Sequence, residues 1–124
     1  MKKFLRCPIC GNLVEVINDS NVPIICCGKQ MEELVANTTD AALEKHVPVV
    51  SVTDNEVTIA VGETLHPMSE EHYIMWIKVF TNQKEYHFDL KPSDQPKVTF
   101  TKDANEEIET VLAYCNLHGL WKNN

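Results

Sequence analysis

The chain has 124 residues and a mass of 14.1 kDa, which fits one ordinary domain, or one domain plus a small metal-stapled module, and leaves no room for a third. With 44% hydrophobic and 23% charged residues it has the composition of a folded globular protein, and no apolar stretch is long enough to span a bilayer. A net charge of −7 argues against nucleic-acid binding, which needs a basic face to meet phosphates, and repels small anions at long range, so an anionic substrate requires a local cation.

The N-terminus, Met1-Lys2-Lys3-Phe4-Leu5, has a basic start, but Arg6 and Cys7 interrupt it before an apolar run forms. The reading is therefore a cytoplasmic protein rather than an exported one. Residues 1–36 read as a separate module: a Cys7-Pro8-Ile9-Cys10-Gly11 turn, a strand from Leu13 to Ile17, a polar turn at Asn18 to Asn21, a strand from Val22 to Ile25, then Cys26-Cys27-Gly28. A module below about 40 residues cannot bury enough apolar surface to hold itself together without a metal or disulfides. In an unexported chain, a C-x-x-C followed by an adjacent pair fits a metal better than disulfides.

Asn37 to Lys45 reads as a linker with at most one helical turn, and residues 37–124 then form the second domain. Strand signals dominate it. Val47–Val52 and Val57–Val61 flank an Asp54-Asn55 turn; Tyr73–Phe80 is apolar on both faces, as in a central strand; Tyr86, Phe88 and Leu90 alternate on one face; Val98–Thr101 and Ile108–Cys115 complete the series. Six short strands with turn signals between them predict an all-β antiparallel sandwich or barrel. Asn105–Leu112 could open a helix, but the β-branched Ile108, Thr110 and Val111 favour a strand.

The four N-terminal cysteines can supply four thiolates to one tetrahedral ion, zinc or iron. Cys7 and Cys10 reach it from one tight turn. Cys26 and Cys27 share it only if the backbone bends, because neighbouring side chains in extended chain point to opposite faces. Glycines directly after Cys10 and Cys27 suit such bends.

A second constellation uses what remains. Cys115 and His118, three residues apart, can bind one metal jointly, and His46, His66 and His72 lie at strand ends or in loops from which they can converge on it. His87 alternates with Tyr86 and Phe88 and is assigned to the solvent face. Five ligands exceed the four of a closed zinc site and point to an octahedral metal with one position open, iron foremost. An electron-transfer protein, a zinc-stapled interaction module and a dismutase are the competing readings of the same residues.

At these residues the sequence closely resembles the desulfoferrodoxins, the two-iron superoxide reductases. The resemblance covers nearly the whole chain: Cys7-Pro8-Ile9-Cys10-Gly11 with Cys26-Cys27-Gly28-Lys29-Gln30-Met31, then Glu44-Lys45-His46-Val47-Pro48, His66-Pro67-Met68, His72-Tyr73-Ile74 and Ala113-Tyr114-Cys115-Asn116-Leu117-His118-Gly119-Leu120-Trp121. It implies a desulforedoxin-like module (1–36) holding a tetrathiolate iron, before an immunoglobulin-like β-sandwich (37–124) holding a second non-haem iron. By that pattern His46, His66, His72 and His118 are equatorial ligands and Cys115 is the axial thiolate. Glu44 can occupy the sixth position in the oxidised state, and Lys45 is the cation beside it. The implied activity is one-electron reduction of superoxide to hydrogen peroxide, with a rubredoxin-like electron donor and a homodimeric assembly. Backbone N–H groups of Leu117 and His118 are placed to hydrogen-bond the axial sulfur.

Overall fold

The computed structural model describes residues 2–39, 41–63 and 65–124, and of Leu43 and Glu44 the backbone alone. Tertiary contacts divide the chain into two compact units, Met1–Val35 and Ala36–Asn124.

The first unit contains β1 (Lys3–Arg6), β2 (Leu13–Val16), β3 (Ile25–Cys26), β4 (Lys29–Gln30) and β5 (Glu32–Glu33). β1 is the middle strand of a three-stranded sheet, antiparallel to β2 and β5, while β3 and β4 form a separate hairpin. Its core is small, with Leu5, Cys7 and Met31 packed against Val14, Val16 and Cys26. So small a core leaves this short segment little burial to hold it together.

Two details differ from the sequence reading. β1 has four residues, too few for an alternating pattern to register, and only its two partners make it a strand. The strand expected at Val22–Ile25 is instead β3, Ile25–Cys26. Pro23 has no N–H to give a ladder, and Val22 and Ile25 stay exposed.

The second unit opens with one helical turn, α1 (Leu43–His46), followed by β6 (Pro48–Thr53), β7 (Glu56–Val61), β8 (Ile74–Thr81), β9 (Glu85–Asp89), β10 (Lys97–Thr101), β11 (Ile108–Cys115) and β12 (Gly119–Lys122). Strands β10-β7-β6 make one antiparallel sheet and β12-β11-β8-β9 the other. This is the antiparallel sandwich that the strand pattern anticipates, and the immunoglobulin-like fold that the family resemblance implies. Inward residues of both sheets meet in one core: Val57, Ile59 and Val61 of β7, Ile74, Ile77 and Val79 of β8, and Val111, Ala113 and Cys115 of β11 are all fully buried. Tyr86, Phe88 and Leu90 pack on that core, as their alternation predicts. His87 is exposed and pairs with Asp89 at 2.9 Å.

One irregularity sets up the functional end of the sandwich. Tyr114 lies opposite Trp76, but Cys115 lies opposite Ile74, so Met75 is an extra residue on β8. Such a bulge flips the facing of the residues beyond it on the bulged strand, and here it turns Ile74 inward, opposite Cys115, which faces the core by alternation with Val111 and Ala113. β12 lies beyond the last strand expected from sequence. It returns from Cys115 through a three-residue loop to Gly119, whose φ of +80° favours glycine and where a Cβ would come within 3.3 Å of Thr39 Oγ1.

Candidate metal centres

The structure gathers the four cysteines of the first unit with their sulfurs within 4.8 Å of one another. Cys7 is fully buried, while Cys10 and Cys27 are exposed. The Cys7–Cys10 turn closes on hydrogen bonds from Gly11 N to Cys7 O and from Cys7 N to Asn12 O. Within it the N–H groups of Ile9 and Cys10 both donate to Cys7 Sγ at 3.4 Å, and Asn12 N donates to Cys10 Sγ at the same distance.

The adjacent pair is solved by the β3–β4 hairpin. Cys26 faces Lys29, leaving Cys27-Gly28 as a two-residue loop with φ of +54° and +72°. Positive φ at both loop residues is what a type I′ turn requires. Cys26 therefore projects from the strand and Cys27 from the turn, and the two sulfurs converge.

Electrostatics shows what this cluster demands. Hydrogen bonds, first from the Cys10 N–H, bring the Cys7 thiol down to about 6. The neighbouring sulfurs, Cys10 foremost, push Cys27 up to about 12 and raise Cys26 as well. Four thiolates this close ionise together only around a cation, so the donor set fits a tetrahedral metal.

The second centre lies at the bulged end of the sandwich. α1 carries His46; the segment between β7 and β8 carries His66 and His72; β11 and the turn after it carry Cys115 and His118. Ligand atoms of His46, His66, His72 and Cys115 all lie within 4.8 Å of one another. His118 joins them, its Nδ1 being 3.1 Å from His46 Nε2 and 3.9 Å from Cys115 Sγ. The imidazoles stand around a square. Neighbouring centroids are 4.6 to 5.0 Å apart with ring planes near perpendicular, and the His46–His72 diagonal is 6.3 Å.

The hydrogen-bond partners set the tautomers. His46 Nδ1 lies 2.7 Å from Ala42 O, and His66 Nδ1 lies 2.7 Å from Pro67 O. A carbonyl oxygen only accepts, so each Nδ1 carries the proton and each Nε2 presents its lone pair to the centre. Nε2 of His66 and of His72 is buried with no hydrogen-bond partner, an arrangement that a bound cation explains. Burial lowers the basicity of His46, His66 and His72 alike, bringing His66 to about 4 and shifting the other two in the same direction. They are neutral at physiological pH, as ligands must be. Burial also raises the Cys115 thiol, opposed by the N–H groups of Leu117 and His118 at its sulfur.

Several supporting residues carry no strong signal in sequence. Fully buried Trp121 stacks on His46, and Asn37 pairs with the β12 edge through Leu120 O, Lys122 N and Lys122 O. Lys45 is exposed in α1, beside His46; the Glu44 side chain lies outside the described residues.

The desulfoferrodoxin family model matches residues 38–124, and the model of the desulfoferrodoxin N-terminal domain matches residues 1–34. The chain belongs to the desulfoferrodoxin family. A desulfoferrodoxin homolog of Methanothermobacter thermautotrophicus is 44% identical over 119 residues, covering 96% of this chain and 95% of its own length. The desulfoferrodoxin of Syntrophotalea carbinolica is 45% identical over 116 residues, covering 94% and 90%. Among solved structures, the superoxide reductase from Treponema pallidum superposes with a TM-score of 0.81 at 31% identity, covering 100% of this chain and 99% of its own. Both metal centres of this desulfoferrodoxin-family chain thus sit in segments matched by the family's own models.

Proposed function

We propose that the chain is a superoxide reductase, reducing superoxide to hydrogen peroxide at a non-haem iron held by His46, His66, His72, His118 and Cys115. A second iron is held by Cys7, Cys10, Cys26 and Cys27. On this reading residues 1–36 are the tetrathiolate iron module and 37–124 the catalytic sandwich. The observation that carries it is the donor set of the second centre: four imidazoles around a square and one buried thiolate. Five donors exceed a closed zinc site and leave one position of an octahedron for a ligand from solution.

An iron held by these five residues would supply one-electron chemistry between superoxide and an external donor. The chain's own groups do the rest. Lys45 places an ammonium at the end of α1 beside His46, a local attraction for an anion that the net charge of −7 otherwise repels. Each superoxide takes up one electron and two protons to become hydrogen peroxide; Lys45 Nζ holds a proton at the open side and orders the water that delivers protons. The N–H groups of Leu117 and His118 at Cys115 Sγ hold the thiolate's charge and tune its donor strength. Ala42 O and Pro67 O lock the rings of His46 and His66 with Nε2 inward. Glu44, which precedes Lys45 in the sequence, is the carboxylate that would cover the open position between turnovers.

The donor is a small rubredoxin-like electron carrier. The protein works as a homodimer, a state favoured by the small core of the first unit and its exposed Ile17, Val22, Ile25 and Val35. Five unpaired cysteines suit the reducing cytoplasm, and among the described residues no helix is long and apolar enough to cross a membrane.

The test is the stoichiometry of superoxide consumption by the iron-loaded protein with excess reductant. One peroxide per superoxide, with reductant consumed and no dioxygen evolved, is expected. Cys115→Ser is expected to abolish this while the first iron is retained. Dioxygen evolved without reductant, or full activity in Cys115→Ser, overturns the assignment.

A further inference from the structure

We infer that Asn116 is a positioning residue of the second metal centre, its carboxamide fixing the Cys115–His118 turn against the backbone on both sides of His72. The inference rests on the proposed iron site and adds to it the element that holds two of its ligand-bearing segments in register.

The regular ladder between β8 and β11 ends at the Ile74–Cys115 pair. Sheet pairing therefore places Cys115 but neither His72, two residues before Ile74, nor His118, three residues after Cys115. Asn116 bridges that gap with three hydrogen bonds. Its backbone N–H donates to Tyr73 O at 3.2 Å. Its side-chain Oδ1 accepts from Tyr73 N at 2.9 Å, and its Nδ2 donates to Glu71 O at 3.0 Å. Glu71 and Tyr73 flank His72, so the peptide groups on either side of this ligand are pinned to the residue after Cys115.

The side chain replaces one more rung of the ladder. In a continuing strand, Tyr73 N would need a main-chain carbonyl opposite it. Oδ1 supplies the acceptor instead, which frees the main chain after Asn116 to turn toward His118. From the other side, Ser69 holds the backbone of His72: Ser69 N donates to His72 O at 2.9 Å, and His72 N reaches Ser69 O and Oγ, each at 3.2 Å. His72 thus sits between two clamps, and only one of them reaches the turn that carries Cys115 and His118.

The geometry also limits which residue can serve. Tyr73 N needs an acceptor and Glu71 O needs a donor, spaced as on a short primary amide. Aspartate offers acceptors only and sets a charge against the Glu71 carbonyl. Alanine offers neither. Loss of the clamp lets the two segments drift, and supporting contacts around metal ligands matter at displacements of about half an ångström.

The experiment compares iron-loaded wild-type protein with Asn116→Ala and Asn116→Asp. It reads the thiolate-to-ferric absorption band of the second centre, iron retention against a chelator, and the denaturant midpoint, with the absorption of the first centre as internal reference. Both variants are expected to shift the second-centre band and to lose that iron about 10- to 100-fold more readily, with the first-centre absorption unchanged. Native band position and native iron retention in both variants, with only a lower midpoint, would reduce Asn116 to a structural residue and overturn the inference. Should Asn116→Ala fail to fold, the isosteric Asn116→Asp decides on the same readouts. A wild-type protein without a band that depends on Cys115 sinks the iron reading and this inference together, whereas unchanged variant bands beside a normal wild-type band sink the inference alone.

Discussion

The indole of Trp121 lies stacked on the imidazole of His46, with centroids 4.7 Å apart and 26° between the planes, while its Nε1 donates to His118 O at 3.1 Å. One fully buried side chain thus supports one ligand ring and fixes the backbone of another. Trp121→Phe keeps an aromatic face against His46 and loses the hydrogen bond; Trp121→Ala loses both and leaves a cavity. The alanine variant is expected to be less stable by about 3–5 kcal/mol and to bind the second iron more weakly, with the phenylalanine variant between it and wild type. Denaturant unfolding of the metal-free protein and competitive chelation read the two effects separately.

The Cys27-Gly28 turn gives a prediction confined to the first centre. Gly28 has a φ of +72°, and a Cβ built there meets nothing within 4 Å, so any penalty for Gly28→Ala is conformational. A cost of about 1–2 kcal/mol is expected for an L-residue held in the left-handed region, with Gly28→Asn milder because asparagine tolerates it. Faster iron release from the first centre alone is the expected signature, measured by the decay of its absorption in chelator; equal release from wild type and Gly28→Ala would contradict the turn's role.

At the far end of β8, Glu106 is almost completely buried. It accepts hydrogen bonds from Thr81 Oγ1 at 2.6 Å, Tyr86 Oη at 2.9 Å and Asp103 N at 3.1 Å. Burial alone raises this carboxyl, but the hydrogen bonds and the nearby Lys84 outweigh it, and the net shift is downward. A carboxyl lowered on folding contributes stability above its unfolded value, and this is lost as pH falls through the folded one. Wild type is therefore expected to lose stability in the acid range below the ordinary carboxylate value, and Glu106→Gln to lose less there while starting lower at neutral pH. Urea midpoints across that range check it.

Metal removal exposes a second pH dependence. In the metal-free fold His66 is lowered to about 4 by burial, against about 6.5 in an unfolded chain. Between these values the unfolded chain binds more protons, so stability rises with pH; acidifying the metal-free protein from about 6.5 toward 4 should destabilise it progressively. His66→Phe cannot take up that proton and is expected to flatten the slope, as read by thermal midpoints of chelated protein. An unchanged slope would count against a neutral, buried His66.

Much of this molecule is legible in sequence because metal chemistry and strand periodicity are both local signals. A C-x-x-C turn brings two sulfurs to one ion whatever surrounds it, Cys115 and His118 pair across one turn, and Val57, Ile59 and Val61 announce a buried face by alternation alone. The donor types, four sulfurs in one set and four imidazoles with one thiolate in the other, were likewise fixed by residue identity and spacing.

Tertiary structure decided how those donors meet. β1 and β12 are strands because partners lie beside them, Cys26 and Cys27 converge because a hairpin forces positive φ at Cys27, and Ile74 faces inward opposite Cys115 because Met75 bulges. The carbonyls that set the tautomers, the Trp121 stack and the Asn116 clamp join segments far apart in the chain, or use main-chain atoms that every residue possesses. Such contacts leave no periodicity and no motif to read. Residue identity carries the chemistry of a ligand; its direction in space belongs to the backbone around it.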